Sequence, residues 1–428
     1  MLRLRSRSLR PATSSQVMGV RVSIFTFALL AAAEVARTSP SAVFWTAPAI
    51  LLASMLIAWA AESAQFFIAQ GFALAILAWL QTLPEFAVEA VLAWKQQVPL
   101  LLAGLTGALR LLTGLGWPMI YAVTAYFHRR RSGTPLRAIR LEHGHCVEVV
   151  GLMVPLVYIS LVWFKRSLNL VDAAILIAIY IAYLVVLSKM PPEEAESVNE
   201  LEIIPRTIVT SAPMVRNAMI AALFLAGGAL IYFMADPFLG SLLAVSMVLG
   251  VPEFVFIQWV APFVSEFPEK VSAFYWARTV DKSPMALMNM VSSNINQWTL
   301  LTAMLPVVYS MSKGAMTPIT FDDQQSLELL MTLGQSAVGL MFLINMELAW
   351  WEATVLFVMW FVQFLFSPVS PGDSGLGFIS RHIHEWITYT YLVWAGVEVI
   401  RMLVGQREPR AFRLFAEVWS TRVMKRAA

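Results

Sequence analysis

Residues 264–298, VSEFPEKVSAFYWARTVDKSPMALMNMVSSNINQW, place charges and amides inside a strongly apolar chain. Glu266, Glu269 and Lys270 lie next to a proline, and Asn, Ser and Gln side chains follow on the next apolar segment. Moving an unpaired charge into the hydrocarbon core of a membrane costs roughly 3 kcal/mol on insertion scales. This stretch therefore predicts a site in which other groups compensate the buried charges.

The composition indicates a membrane protein. Of the 428 residues, 59% are hydrophobic and 13% are charged, whereas soluble domains carry about 25% charged residues. Apolar runs long enough to cross a hydrocarbon core of roughly 30 Å recur along the chain, which predicts an all-α polytopic membrane protein with about 12 transmembrane helices. The expected partners are the lipid bilayer and inorganic cations, with no nucleic acid, and the oligomeric state is left open.

Lys and Arg residues are concentrated in alternate loops between the predicted helices. If the N-terminus is cytoplasmic, most of the Lys and Arg residues lie on the inner side of the membrane. They include Arg129, Arg130 and Arg131 and those of the basic C-terminal tail. Because short, positively charged loops stay in the cytoplasm, both termini are expected there, in a prokaryotic inner (plasma) membrane. The first apolar segment also fits a signal sequence, but a helix retained in the membrane is expected.

Two Pro-Glu pairs divide the chain into two halves. Glu85 follows a proline in ILAWLQTLPEFAVEAVLAW, and Glu269 follows one in APFVSEFPEKVSAFYW. Each pair lies within a long apolar segment, and the next segment carries small or polar residues at similar spacing. A repeat separated by an odd number of crossings predicts a core of 5+5 helices in inverted orientation, with extra N- and C-terminal helices.

The predicted organisation has five parts. They are a basic tail with an extra helix (1–41), a first repeat (42–189, motif near 81–112), a cytoplasmic linker (190–215), a second repeat (216–367, motif near 264–298), and an outer loop with an extra helix and a basic tail (368–428).

The Pro-Glu pairs suit cation binding. A proline within a helix removes a backbone donor and frees carbonyl groups near the bilayer centre, and such carbonyls beside a carboxylate are oxygen ligands for Na⁺ or Ca²⁺. If Glu85 and Glu269 meet at the pseudo-twofold axis, their charges repel until a cation or proton binds. Two cations that compete for one site, exposed alternately to each side, would be exchanged.

These residues resemble the cation/Ca²⁺ exchanger superfamily, the sodium/calcium exchanger membrane region. SEFPE and NMVSSNINQ stand at the two second-repeat motifs of that family, and QTLPE matches the first repeat, where GLTGALRLL keeps only the glycine pattern. The resemblance implies that Glu85 and Glu269 are the two central metal ligands. It also implies supporting polar positions at Thr82, Ser265, Asn289, Ser293 and Asn294.

Several residues depart from the family pattern. Glu266 adds a carboxylate, and Gln297 places a neutral amide at a ligand position; both are expected to line the ion site. Leu109, Arg110 and Leu112 replace polar positions of the first repeat. These changes allow a different cation, proton coupling, or lost transport.

Three residues are candidate modulators of the site, namely Gln81, Glu89 and Arg110. Glu89 lies one helical turn after Glu85, where it is either a second ligand or proton carrier, or a carboxylate near the membrane border. Arg110 is either an internal cation that pairs with Glu85 or Glu89, or part of a permanent salt bridge that neutralises Glu266.

Other charged residues are expected to have ordinary surroundings. Lys270 is predicted to pair with Glu266 or to extend to the interface. Solvated positions near the membrane border are expected for Glu328, in an acidic outer loop, and for His384.

The leading hypothesis is a secondary active antiporter that exchanges Ca²⁺, or another cation, for Na⁺ or H⁺ and needs no cofactor. One alternative is a degenerate family member that serves as a sensor or scaffold, which Leu109, Arg110 and Leu112 favour. Another is an intramembrane enzyme, although the chain lacks the nucleophile, metal and phosphate-loop motifs of such enzymes.

Overall fold

The structure, a computed structural model, describes residues 39–67, 79–80, 82–190, 198, 201–368 and 376–424. Within these ranges the chain is overwhelmingly helical, which confirms the predicted all-α class. The predicted first helix lies outside the described residues.

The first half contains six helices and two short strands. They are α1 (Val43–Ala64), α2 (Leu83–Trp94), α3 (Val98–Leu111), α4 (Trp117–Ser132), α5 (Cys146–Phe164), α6 (Leu170–Leu187), β1 (Ala138–Arg140) and β2 (Ser167–Leu168). A π-turn, Leu112–Gly116, joins α3 to α4 in one continuous helical rod.

A short helix, α7 (Ile203–Val209), precedes the second half. The second half contains α8 (Pro213–Leu249), α9 (Glu253–Val255), α10 (Ala261–Ser265), α11 (Phe267–Arg278), α12 (Ser283–Asn296), α13 (Thr302–Lys313), α14 (Asp323–Leu343), α15 (Trp350–Phe366), β3 (Ile319–Thr320) and β4 (Glu347–Ala349). The π-turn Phe256–Val260 joins α9 to α10, and Gln297–Leu301 joins α12 to α13. Helices α16 (Leu376–Leu403) and α17 (Arg410–Val418) follow.

Length and composition agree with a multi-pass membrane protein. In the described part, six helical rods are long and apolar enough to cross a membrane: Pro40–Ala64, Val98–Ser132, Cys146–Phe164, Leu170–Leu187, Pro213–Leu249 and Asp323–Leu343. Large apolar side chains such as Val157, Ile181 and Leu225 are exposed on their outer surfaces. Such extensive apolar exposure suits contact with lipid rather than water.

The inverted repeat is visible in the lengths of the helices. Helices α2 and α11 each have 12 residues, and α3 and α12 each have 14. Each of these four helices has proline in its first turn, where the missing backbone N–H costs no hydrogen bond. Both 14-residue helices end in a five-residue π-turn. The two halves therefore share one local plan around their Pro-Glu pairs.

Two short antiparallel ladders join the halves. Strand β1 pairs with β4, and β2 pairs with β3, so each ladder takes one strand from each half. This exchange is what a pseudo-twofold axis between the halves requires. Helix α1 packs along α8, and the additional helix α16 packs against α14.

The β2–β3 register can be tested by cross-linking. Ser167 lies opposite Thr320, and the bond from the Phe321 N–H to the Arg166 carbonyl makes Ser167–Thr320 the non-hydrogen-bonded pair. Cα atoms in such pairs are about 4.5 Å apart, within disulfide range. The Ser167→Cys/Thr320→Cys variant should therefore form an intramolecular disulfide under mild oxidation, measured as the loss of two maleimide-reactive thiols.

The matched control is Ser167→Cys/Ile319→Cys, because neighbouring residues of a strand point to opposite faces. The native Cys146 is buried and contributes a constant background. Equal cross-linking in both variants would contradict the register.

Candidate cation-binding site

The two Pro-Glu pairs begin helices at matching places in the two halves. Thr82 immediately precedes α2, and Glu266 immediately precedes α11. Glu85 and Glu269 consequently lie in the first turn of their helices, where the helix dipole favours negative charge. Both side chains are buried, with 2% and 0% of their surface exposed. The backbone therefore brings a carboxylate from each half into the interior.

One face of the α12 rod supplies polar groups to these carboxylates. Asn289, Ser293 and Gln297 recur at intervals of four residues, so their side chains lie on the same face. All three are fully buried. Gln297 is the first residue of the π-turn, a feature that is frequent at functional sites.

The amide of Gln297 links the carboxylates of the two halves. Its Nε2 donates to Glu85 Oε2 at 2.8 Å and to Glu266 Oε1 at 2.6 Å. The second Glu266 oxygen accepts a hydrogen bond from Lys270 Nζ at 2.7 Å, which confirms the predicted pairing. Gln297 thus binds one oxygen of Glu266, and Lys270 binds the other.

Further hydrogen bonds fix the edges of the site. Ser293 donates to Glu269 Oε1. Asn296 Nδ2 donates to Thr82 Oγ1 at 2.6 Å, and Thr82 donates to the Trp79 carbonyl at 2.9 Å. Asn296 was not among the predicted site residues, although its place three residues after Ser293 puts it on the same helix face.

Other predicted site residues have different surroundings. Ser265 donates to the carbonyl of Pro262 in its own helix at 3.3 Å. Asn294 Nδ2 donates to Thr113 Oγ1, in the π-turn of the first half, at 3.2 Å. Asn289 is buried and has no hydrogen-bond partner among the described residues. Gln81 lies outside the described residues.

Several oxygens of this site accept no hydrogen bond from the described residues: Glu85 Oε1, Glu269 Oε2, Asn289 Oδ1, Asn296 Oδ1 and Gln297 Oε1. Leaving buried acceptors unsatisfied is costly. Carboxylate and amide oxygens are hard ligands that suit Na⁺ and Ca²⁺. The described part contains no group of three or more His, Cys, Asp or Glu arranged as a metal site.

The charges of the site are only partly balanced. Glu85 is repelled electrostatically by Glu266, Glu89 and Glu269, while Lys270 compensates one charge through Glu266. When Glu85, Glu266, Glu269 and Lys270 are all ionised, these four groups leave two negative charges uncompensated, and an ionised Glu89 adds a third. Binding of positive charge would relieve this repulsion.

Glu89 is buried beside the site. Only 2% of its surface is exposed, so its side chain is enclosed by the protein. Its distance from the membrane border stays a prediction. Its Oε1 lies against Gly104, where an added Cβ would be 1.9 Å from that oxygen. Only glycine permits this approach, which keeps the Glu89 carboxylate inside, one turn beyond Glu85.

Arg110 belongs to a second buried polar cluster. Its guanidinium has no exposed surface. Nη2 donates to Glu328 Oε2 at 2.6 Å, Nε donates to the Thr106 carbonyl at 3.1 Å, and Nη1 donates to Gln363 Oε1 at 3.3 Å. These contacts join α3, α14 and α15.

The predicted pairing of Arg110 with Glu85, Glu89 or Glu266 is therefore wrong. The physical reason is the direction of the side chain, because helical side chains lean toward the N-terminus of their helix. Arg110 consequently reaches back to Thr106 and meets α14. It forms a permanent salt bridge, but with a different carboxylate.

The solvated positions predicted for Glu328 and His384 are also wrong. Glu328 is 8% exposed, and it accepts hydrogen bonds from Gln258 Nε2 at 3.0 Å and from His384. A capping box at Asp322 starts α14 near the surface, so Glu328 lies more than one turn inside the helix, beneath α16. The Glu328 carboxylate therefore serves three donors at once.

The core sequence matches a known family in both halves. The model of the family described as sodium/calcium exchanger protein matches residues 41–189 and 219–368. The chain belongs to the sodium/calcium exchanger protein family. This membership confirms the resemblance based on the two Pro-Glu motifs and supports cation transport in general terms.

Solved structures support the same fold. The H⁺/Ca²⁺ exchanger CAX is 27% identical, with 94% of this chain and 99% of that chain covered and a TM-score of 0.76. The sodium–calcium exchanger NCX_Mj is 16% identical, with 76% and 98% covered and a TM-score of 0.50. YfkE is 14% identical, with 81% and 100% covered and a TM-score of 0.55. No curated protein matches the sequence.

The Arg110–Glu328 salt bridge of this family member should be important for stability. Removing one partner of a buried pair leaves an uncompensated charge and typically costs about 3–5 kcal/mol. Arg110→Leu should strongly lower the thermal unfolding midpoint in detergent, and Arg110→Leu/Glu328→Leu should recover much of the loss.

Arg413→Leu is the matched control, since Arg413 pairs with Glu408 on the exposed surface, where ion pairs contribute little. A midpoint unchanged in Arg110→Leu would contradict the structural role of the buried pair.

Proposed function

We propose that this protein is a secondary active antiporter that exchanges Ca²⁺, or another divalent cation, for H⁺ by alternating access. The observation that carries this proposal is the cluster of buried oxygens around Glu85 and Glu269, contributed by both halves and lacking donors among the described residues. Such oxygens would coordinate a dehydrated cation. When no cation is bound, protons would neutralise the carboxylates of Glu85 and Glu269.

The charge of the site favours a divalent cation and protons as the competing ions. With Glu89 protonated throughout the cycle, the two uncompensated negative charges match one Ca²⁺ or two H⁺. Lys270, paired with Glu266, already supplies one positive charge, so too little negative charge is left to balance more than two monovalent ions. We infer a ratio of one divalent cation to two protons.

The relationship to CAX points the same way. That protein is described as an H⁺/Ca²⁺ exchanger, and it shares 27% identity over 94% of this chain. The likeness to NCX_Mj, at 16% identity, concerns the fold alone.

Alternating access would be achieved by movement of the α1–α8 pair against the core. These two long helices pack along each other, and large parts of their surfaces are exposed where lipid would lie. From the distribution of Lys and Arg we infer that both termini face the cytoplasm. With this orientation, α2 runs outward from the site and α11 runs inward.

The sensor or scaffold alternative rests chiefly on Arg110. If its charge occupied the ion site, it would replace part of the bound cation. The guanidinium is instead bound to Glu328 and Gln363, so its charge is compensated elsewhere. Leu109 and Leu112 remain departures from the family pattern, but the second half supplies the amide and hydroxyl groups of the site.

Transport in proteoliposomes tests the proposed function. An outward or inward pH gradient should drive ⁴⁵Ca²⁺ against its own gradient. Glu269→Gln should abolish this transport, because the substitution removes a charged ligand. Ser293→Ala should weaken apparent Ca²⁺ affinity by about tenfold, since a hydrogen bond to a charged group contributes about 1.5 kcal/mol or more.

Glu385→Gln, which changes an exposed carboxylate on α16, should transport like the wild type. If a Na⁺ gradient drives transport and a pH gradient does not, the ion exchanged for Ca²⁺ is Na⁺ and not H⁺. Full activity in Glu269→Gln would contradict the site, and inactivity toward every cation would support the scaffold alternative.

The inferred ratio predicts electroneutral exchange. Moving one Ca²⁺ against two H⁺ transfers no net charge, so a potassium diffusion potential set with valinomycin should not change the initial rate of pH-driven ⁴⁵Ca²⁺ uptake. A rate that changes steeply with the imposed potential would exclude this ratio. Vesicles without valinomycin, with the same potassium concentrations, provide the control.

A further inference from the structure

A large cavity opens at the end of the protein that lies opposite to the C-terminal end of α2. Its volume is about 860 Å³, and it lies between α1, α4, α11 and the start of α7. Charged side chains line it: Glu62, Arg131, Glu202, Arg278 and Lys282. In the proposed orientation this cavity faces the cytoplasm. Neither the family motifs nor the site described above account for Glu62.

Glu62 lies where the cavity meets the interior of the protein. Its side chain belongs to α1 and is only 7% exposed. Its Oε1 accepts a hydrogen bond from Ser272 Oγ at 2.8 Å. Ser272 is on α11, three residues after Glu269, so the two side chains are neighbours on one helix face. One hydroxyl group thus stands between Glu62 and a central carboxylate of the ion site.

The carboxylates form an ordered series through the protein. Glu62 borders the cavity, Glu269 and Glu85 are at the centre, and Glu89 lies one turn further along α2, which runs to the opposite side. The position that matches Glu62 in the second half, counted from the Pro-Glu pairs, is Ser246. The extra carboxylate therefore belongs to one side of the membrane only.

We propose that Glu62 is a proton relay between the cavity and Glu269, a role that rests on the proposed Ca²⁺/H⁺ exchange. Water in the cavity gives a proton to Glu62. When Glu62 is protonated, its own O–H donates to the Ser272 oxygen, and the Ser272 hydroxyl, which bonds to Glu62 in the structure, is free to turn toward Glu269. Glu62 then passes its proton to the Ser272 oxygen while the Ser272 hydroxyl gives its own proton to Glu269. Glu62 and Ser272 end with the protons they began with, and one proton has moved from the cavity to the ion site.

The charges around Glu62 favour a proton over Ca²⁺ at this step. Among the described lining residues, Arg131 on α4, Arg278 on α11 and Lys282 just after it outnumber the two acidic residues Glu62 and Glu202. A divalent cation is repelled by these charges twice as strongly as a monovalent one. Deeper along α11, the charged groups are Glu266, Glu269 and Lys270. We therefore assign Glu62 to proton transfer and not to Ca²⁺ coordination.

Two transport assays on the full-length protein in proteoliposomes test this role. One is pH-driven ⁴⁵Ca²⁺ transport, which requires protons to reach the site. The other is exchange of ⁴⁵Ca²⁺ for unlabelled Ca²⁺ at equal pH, which does not. Glu62→Gln should slow pH-driven transport by about tenfold or more, as expected for loss of a positioned proton-transfer group. It should also flatten the dependence on pH at the cavity side while leaving Ca²⁺/Ca²⁺ exchange nearly unchanged.

Three variants control the experiment. Glu62→Asp keeps a carboxylate and should restore much of the pH-driven rate. Ser272→Ala removes the connecting hydroxyl and should slow the same assay without affecting Ca²⁺/Ca²⁺ exchange. Glu202→Gln changes a carboxylate that lines the same cavity but accepts its hydrogen bond from Trp59, and both rates should match the wild type.

The outcomes separate the relay from the proposed function. Wild-type pH-driven rates in Glu62→Gln, or equal losses in both assays, would overturn the relay while leaving the antiporter intact. If Glu62→Gln does not fold, undiminished pH-driven transport in Ser272→Ala overturns it. Failure of the wild type in both assays would reject the antiporter itself.

Discussion

The structure depends on how three carboxylates are held together inside a membrane-spanning protein. Glu85, Glu266 and Glu269 could not remain buried side by side without compensation, because their mutual repulsion adds to the cost of removing each from water. Lys270 compensates one charge, and the Gln297 amide donates to oxygens from both halves. The early prolines, equal helix lengths and π-turns are the backbone features that bring these groups into reach.

The inverted repeat makes the backbone symmetrical, but the chemistry of the two halves differs. The second half contributes Glu266, Ser293 and Gln297, together with Glu269, whereas the first half contributes chiefly Glu85 and Thr82. Gln297 directly follows α12 and Leu112 directly follows α3, and both residues begin a π-turn. A single site therefore forms at the centre in place of two equivalent ones. Symmetry is used to oppose the two carboxylates, while one half supplies most of the neutral ligands.

Local sequence patterns were enough to predict the fold and the central residues. The Pro-Glu pairs indicated the repeat, and Lys270 could be paired with Glu266 because four residues separate them on a helix. The partner of Arg110 could not be found in this way, since Glu328 is 218 residues away and its burial depends on α16, outside the repeats. Glu62 was missed for a similar reason. Its hydrogen-bond partner Ser272 lies on a helix of the other half, and no motif marks either residue.

The contrast between the two buried clusters distinguishes structural carboxylates from those available for transport. Both oxygens of Glu328 are engaged, by Arg110 and Gln258 on one and His384 on the other. Each of Glu85 and Glu269 has one oxygen bound and one without a donor from the described residues. A fully bonded carboxylate gains nothing from an added cation and stabilises a single arrangement of helices. A carboxylate with only one oxygen hydrogen-bonded is positioned by that bond, and its other oxygen is available to a ligand. Reversible binding of an ion requires both.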